Sequence, residues 1–189
     1  MLPNTFPCEL INWENSCALA KQLAITSRDS GYQPDIIVAI GWGGYVPARV
    51  VCDYLLHEML TSIKIKHWGV AGVEKSKTII RFPLAVDVKG AHLLVIDDVT
   101  DTGDTLTEAI FYLRRCGATE IRAAVLQHKD TPGFLPDYYA ENVVEWRCTI
   151  YSRAVYERIS GFMLRVLIIG SATAKDIITA LTELFSISP

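Results

Sequence analysis

The chain has no long apolar run, no excess of basic charge and no paired cysteine spacing, and each absence narrows what it can be. Its longest late apolar stretch, residues 162–169, is broken by Arg165 and falls well short of a membrane span, so no membrane partner is expected. The formal net charge is −3, which removes the electrostatic case for general nucleic-acid binding. Any anionic substrate must then be held locally. Cys8, Cys17, Cys52, Cys116 and Cys148 are odd in number and scattered, with no C-x-x-C, and read as reduced thiols of a cytoplasmic protein rather than a disulfide framework or zinc site. The start lacks a basic region followed by an apolar one, so no signal peptide is expected. There is no G-x-x-x-x-G-K-[ST] loop, no internal repeat and no low-complexity tract. What remains is 189 residues, 50% hydrophobic and 21% charged, the balance of one globular α/β domain over residues 1–189.

The centre of the chain is residues 93–106, Leu-Leu-Val-Ile-Asp-Asp-Val-Thr-Asp-Thr-Gly-Asp-Thr-Leu. Leu93 to Ile96 read as a strand covered on both faces of a parallel sheet, with Asp97 and Asp98 at its carboxyl end. Ligands of open α/β sheets bind at that end, so two adjacent carboxylates there are expected to face a ligand. From Thr102 the pattern turns helical, with Leu106, Ala109, Ile110 and Leu113 on one stripe and Gly117 to end it. Thr102, Gly103, Asp104 and Thr105 would present hydroxyls and unpaired N–H groups at a helix N-terminus, an anion site best suited to phosphate. Two other motifs fit the letters and fail on context. Asp-Asp-x-x-Asp of prenyl-diphosphate enzymes belongs on a long helix, and a Walker B strand needs the phosphate loop that is missing here.

An apolar strand, two acids, two spacers and Asp-Thr-Gly-x-Thr resemble the phosphoribosyl-pyrophosphate (PRPP) signature of the type I phosphoribosyltransferases. The resemblance covers about residues 35–147. It implies the type I phosphoribosyltransferase fold, a mainly parallel central sheet flanked by helices, with a core at about 35–147 and a small hood and C-terminal extension from about 1–12 and 148–189. It also implies transfer of a 5-phosphoribosyl group from PRPP to a purine, with Mg²⁺ as cofactor and a homodimer as the usual assembly. Asp97 and Asp98 would meet the ribose hydroxyls and the metal, and residues Asp101, Thr102, Gly103, Asp104 and Thr105 the 5′-phosphate. Asp101 would accept the purine N7 proton.

The rest of the chain fits around this motif. Trp13 to Arg28 has helical spacing, and residues 1–12 read as an extended lead-in. Asp35 to Ile40 is a second apolar strand, followed by Gly41-Trp42-Gly43-Gly44 and a helix with Pro47 near its start. That turn resembles the pyrophosphate loop of the 6-oxopurine branch, so Trp42, Gly43 and Gly44 would meet pyrophosphate. Trp42 stands where a basic or small polar residue is common, which leaves the charge contact to come from elsewhere. Some family members hold a cis peptide in this loop. Ser62 to Trp68 alternates as a strand nearer the edge, and Ile79 to Leu84 returns beside it. Between them, residues 69–78 are small, flexible and basic; in the family this loop closes over the reactants, with Lys75 or Lys77 reaching the pyrophosphate.

Glu120 to Gln127 is a further strand with His128-Lys129-Asp130 at its carboxyl end. By resemblance to the xanthine–guanine and hypoxanthine–guanine enzymes, Lys129 would contact the purine 6-oxygen, Trp146 would stack on the base, and backbone near Arg147 would read the 2-position. An ammonium donates to an oxo group and not usefully to an exocyclic amine, so a 6-oxopurine is expected ahead of adenine. A PRPP- or nucleotide-sensing regulator on the same fold is the other alternative. Val166 to Ile169 reads as a short strand, and Ala174, Ile177, Ile178, Leu181 and Phe185 as a helical stripe.

Overall fold

The computed structural model of the chain describes residues 7–67, 78–130 and 133–169, together with 173, 175–176, 178–179 and 182. Two compact units emerge, residues 16–145 and residues 1–15 with 146–189.

The first unit is built on a six-stranded sheet. Its strands are β2 (Ile36–Gly41), β3 (Leu60–His67), β4 (Thr78–Phe82), β5 (His92–Thr100), β6 (Glu120–Lys129) and β7 (Tyr138–Val143). They lie in the order β4-β3-β2-β5-β6-β7, parallel throughout except that β4 runs against β3. The expected mainly parallel sheet is therefore present, and its one antiparallel strand sits at the edge. Every residue of β2 is buried, as are Leu93 to Asp97 of β5, because helices cover both faces of the middle of the sheet. On one face Val38, Ile40, Ile63, Ile65, Leu93, Val95, Ala123 and Val125 pack under Leu106, Ala109 and Leu113 of helix α3 (Asp104–Arg115). The i, i+3, i+7 spacing of those three leucine and alanine positions is what turns one stripe of α3 to the sheet. Helix α2 (Tyr45–Leu55) packs on β2 and β5 through the buried residues Pro47, Ala48, Val51 and Cys52. Helix α1 (Trp13–Asp29) precedes the sheet and buries Ala20, Leu23 and Ala24.

The second unit pairs β1 (Cys8–Ile11) in parallel with β8 (Cys148–Tyr151), Cys8 opposite Cys148 and Ile11 opposite Tyr151. A 3₁₀ turn, Ser152–Ala154, then leads into α4 (Val155–Ile169). Two expectations change here. Residues 8–11 form a strand rather than a plain extended lead-in, because their partner lies about 140 positions away and no local pattern announces it. Val166 to Ile169, expected as a strand, are the last turn of α4. Four apolar residues carry no period of their own, and the helix already under way from Val155 decides the matter. Of the late stripe only Ile178 falls within the described residues. No helix among them is long and apolar enough to cross a membrane.

Candidate active site

The strand order fixes where a ligand can sit. From β2 the chain moves through α2 to β3 on one side, and from β5 it moves through α3 to β6 on the other. The two connections diverge at the carboxyl ends of β2 and β5, which lie side by side with Ile37 opposite Leu94 and Ala39 opposite Ile96. A crevice opens wherever strand order reverses in this way. Both glycine-bearing turns picked out in the sequence border it.

The turn after β2 has a cis peptide between Gly41 and Trp42. The Gly44 N–H donates to the Ile40 carbonyl at 2.8 Å, so the chain doubles back tightly before α2. A Cβ on Gly44 would strike the Ile96 carbonyl oxygen and come within 2.8 Å of the Ile40 carbonyl oxygen; one on Gly43 would lie 2.5 Å from the Asp98 carboxylate. These two glycines thus do more than admit a ligand: they let the turn press against β5.

The second turn follows β5 directly. Asp97 and Asp98 lie inside that strand, which continues to Thr100, and α3 starts at Asp104 rather than at Thr102. Gly103, at φ 83°, makes the corner, and any side chain there would also collide with Phe134. Asp97 is buried, with Oδ1 accepting the Asp98 N–H at 2.9 Å. The Thr102 hydroxyl donates to Asp104 Oδ2 at 2.9 Å, which ties down the acid of the first turn. The opening N–H groups of α3 have no acceptors within the helix. They border a cavity of about 130 Å³ lined by Asp97 and residues 99–106.

Lys129 lies one position beyond the Thr100–His128 pair of β5 and β6, and its Nζ is 3.2 Å from Asp101 Oδ2. The ammonium side is almost wholly buried and the carboxylate half exposed. Beside them Gln127, fully buried, donates to Glu141 on β7 at 2.8 Å. Thr100 Oγ1 and His128 Nδ1 are buried with no hydrogen-bond partner in the described structure. Neither residue stood out in the sequence; a Thr and a His at strand ends give no signal until the neighbouring strands are known.

The unit of residues 16–145 therefore gathers Gly43, Gly44, Asp97, Asp98, Asp101 to Thr105 and Lys129 around the carboxyl ends of β2, β5 and β6. Trp42 is in the same turn, largely exposed. Trp146 and Arg147 belong to the other unit, where both are half-buried and Arg147 Nε donates to Glu9 on β1 at 2.5 Å. Lys75 and Lys77 lie outside the described residues.

No three His, Cys, Asp or Glu side chains among the described residues converge to hold an ion unaided. Two hard carboxylates, Asp97 and Asp98, do stand at the crevice. That donor set fits Mg²⁺, which commonly takes one or two carboxylates and completes its shell with substrate oxygens and water.

Residues 9–156 match the phosphoribosyl transferase domain family. The chain is 28% identical over 123 residues to the hypoxanthine-guanine phosphoribosyltransferase of Saccharomyces cerevisiae, covering 56% of this chain and 55% of that protein. It is 32% identical over 100 residues to the adenine phosphoribosyltransferase of Mycobacterium avium, covering 49% of this chain and 55% of that one. It spans only about half the length of each of these two relatives. The structure is similar to that of a purine phosphoribosyltransferase from Pyrococcus horikoshii, with a TM-score of 0.66 at 29% identity over 76% of this chain and 92% of the other.

Proposed function

The chain belongs to the phosphoribosyl transferase domain family, and from that premise we propose that it transfers the 5-phosphoribosyl group of PRPP to a purine, with a 6-oxopurine as acceptor. In the reaction a purine ring nitrogen bonds to the anomeric carbon as the bond from that carbon to pyrophosphate breaks, and the purine loses a proton. The products are a nucleoside 5′-monophosphate and pyrophosphate.

The observation that carries the 6-oxo reading is the Lys129–Asp101 pair at 3.2 Å. A 6-oxopurine protonated at N7 presents a donor and an acceptor side by side on one edge. A carboxylate that accepts and an ammonium that donates, a hydrogen bond apart, complement that edge. Adenine offers an amine in place of the oxygen and gives Lys129 nothing to donate to. In this reading Asp101 takes the N7 proton as the new bond forms, and Lys129 stabilises charge that develops on the oxo group.

The 5′-phosphate is assigned to the first turn of α3 with Thr102 and Thr105, where N–H groups that lack helical acceptors and the positive end of the helix dipole favour an anion. Asp97 and Asp98 are assigned to the ribose hydroxyls and to Mg²⁺. The metal would supply charge neutralisation for the departing pyrophosphate. Holding donor and acceptor in line is the remaining task, and it falls to the two turns pressed together at Gly43 and Asp98.

The adenine-specific relative supports a second reading, and one assay separates the two. Pyrophosphate release is followed with PRPP and Mg²⁺ and with guanine, hypoxanthine, xanthine or adenine in turn. Turnover with an oxopurine and none with adenine is expected. Turnover with adenine alone would overturn the role given to Lys129 and leave the PRPP half standing; PRPP binding without turnover on any base would favour a nucleotide-sensing protein.

A further inference from the structure

We infer that Lys64, held against the face of Trp42, is a pyrophosphate-binding residue that brings to the turn after β2 the positive charge its own residues lack. The inference rests on the transfer reading above and adds a residue to that same site. Residues 41–44 are Gly-Trp-Gly-Gly, so the turn offers N–H groups and an indole to a leaving group with several negative charges, and no formal charge. Asp98 worsens the balance, since its carboxylate lies against Gly43. An anion resting on this turn needs a cation beside it.

Two features of β3 aim Lys64 there. Ile63 and Ile65 are 1% and 6% exposed in the core, so the alternation of the strand sends Lys64 to the opposite face. In the pairing with β2, Lys64 stands opposite Gly41, and its side chain leaves the sheet at the level where β2 gives way to the turn. The result is an Nζ 4.0 Å from the centroid of the Trp42 ring. Trp42 is 63% exposed, so the indole does little as buried apolar surface. Its π face instead holds an ammonium, a compact cation with three donors, beside the turn. In sequence Lys64 looks like any polar-face lysine of an edge strand; only the register ties it to Trp42.

The test uses the full chain and calorimetric binding of two probes with Mg²⁺, inorganic pyrophosphate and guanosine 5′-monophosphate, together with KM for PRPP and kcat. Lys64→Met is expected to weaken pyrophosphate binding and raise the KM for PRPP about tenfold or more, the worth of one charge-assisted hydrogen bond. Monophosphate binding should not move, since that ligand carries no pyrophosphate. Lys64→Arg should recover most of the loss, and Trp42→Leu should reproduce a smaller part of it. Unchanged pyrophosphate binding in Lys64→Met, or an equal loss of monophosphate binding, would overturn the assignment while the transfer reading stands. A wild-type chain that binds neither PRPP nor the monophosphate would bring down the transfer reading and the Lys64 assignment together, and that shows before any substitution is made.

Discussion

The two ends of the six-stranded sheet differ in how they treat polar groups, and the difference separates scaffold from site better than cavity size does. At the amino ends of β2, β5 and β6 a groove of about 640 Å³ is lined by residues 30–35, His92, Glu120 and Arg122. At the carboxyl ends the cavity before α3 is only about 130 Å³. Yet several of the polar side chains that line the larger groove are paired within the fold. Arg122 donates from Nε to Glu120 at 2.8 Å and from Nη1 to the Tyr138 hydroxyl at 2.5 Å, and its guanidinium stacks 4.2 Å over Tyr32. Ser30 shares a hydrogen bond with the Tyr138 hydroxyl, Asp35 accepts the His92 N–H, and Asp137 accepts the Ala123 N–H. At the carboxyl ends, by contrast, buried Thr100 Oγ1 and His128 Nδ1 have no partner in the described structure. A buried polar group without a partner in the fold is matched by ordered water or by a ligand.

The comparison breaks most readily at Asp101. Asp101→Asn keeps the shape and removes the proton acceptor, so kcat should fall about 10²–10⁴-fold with PRPP affinity nearly unchanged. Melting should shift much less than kcat, because the Asn amide oxygen can still accept from the buried Lys129 ammonium and position 101 is itself 46% exposed. A parallel collapse of PRPP binding or of thermal stability would make the carboxyl end a scaffold like the other.

Next in size is Gly44→Ala. The added Cβ has backbone on two sides, from Ile96 and Ile40, and neither can give way as a flexible side chain would. A loss of about 1–3 kcal/mol in urea unfolding is expected, with weaker PRPP binding as the turn lifts from β5. At the other end Arg122→Met should cost stability alone, about 1 kcal/mol after solvent screening of a side chain that is one-third exposed, with kcat and KM unmoved. A changed KM would show that the larger groove communicates with catalysis.

The central motif was legible because it is local. Leu93 to Ile96, the acids, the glycine corner and the 3–4 spacing of α3 follow one another in a single stretch, and each has one favoured geometry. The strand at 36–41 was legible for the same reason, an apolar run closed by glycines. What stayed hidden depends on register between distant strands. Lys64 meets Trp42 through the β2–β3 pairing, Asp101 meets Lys129 through β5–β6, and Cys8 faces Cys148 across most of the chain. The reason for Gly43 and Gly44 was visible only in part, since a sequence shows that a turn is tight and not that it presses on a neighbouring strand.

The smallest expected effects sharpen the comparison most, because they differ in sign. Thr100→Val exchanges a buried hydroxyl that has no partner for a methyl of the same shape. Removing an unmet polar group should stabilise the protein by about 1 kcal/mol. Tyr32→Phe deletes a buried hydroxyl that donates to the Leu93 carbonyl at 3.0 Å, and should destabilise by about the same amount. The second change also has a pH signature. Burial, followed by the nearby Glu120 charge, pushes the Tyr32 phenol above its usual range. The folded state therefore holds that proton longer than the unfolded chain. Its contribution is full below the ordinary phenol value of about 10 and is lost as pH rises beyond it. Tyr32→Phe should flatten that part of the alkaline unfolding curve, whereas Thr100→Val should leave its shape alone. Urea midpoints moving in the same direction for both variants would mean that Thr100 is satisfied after all, and the two ends of the sheet would then differ in residue content without differing in kind.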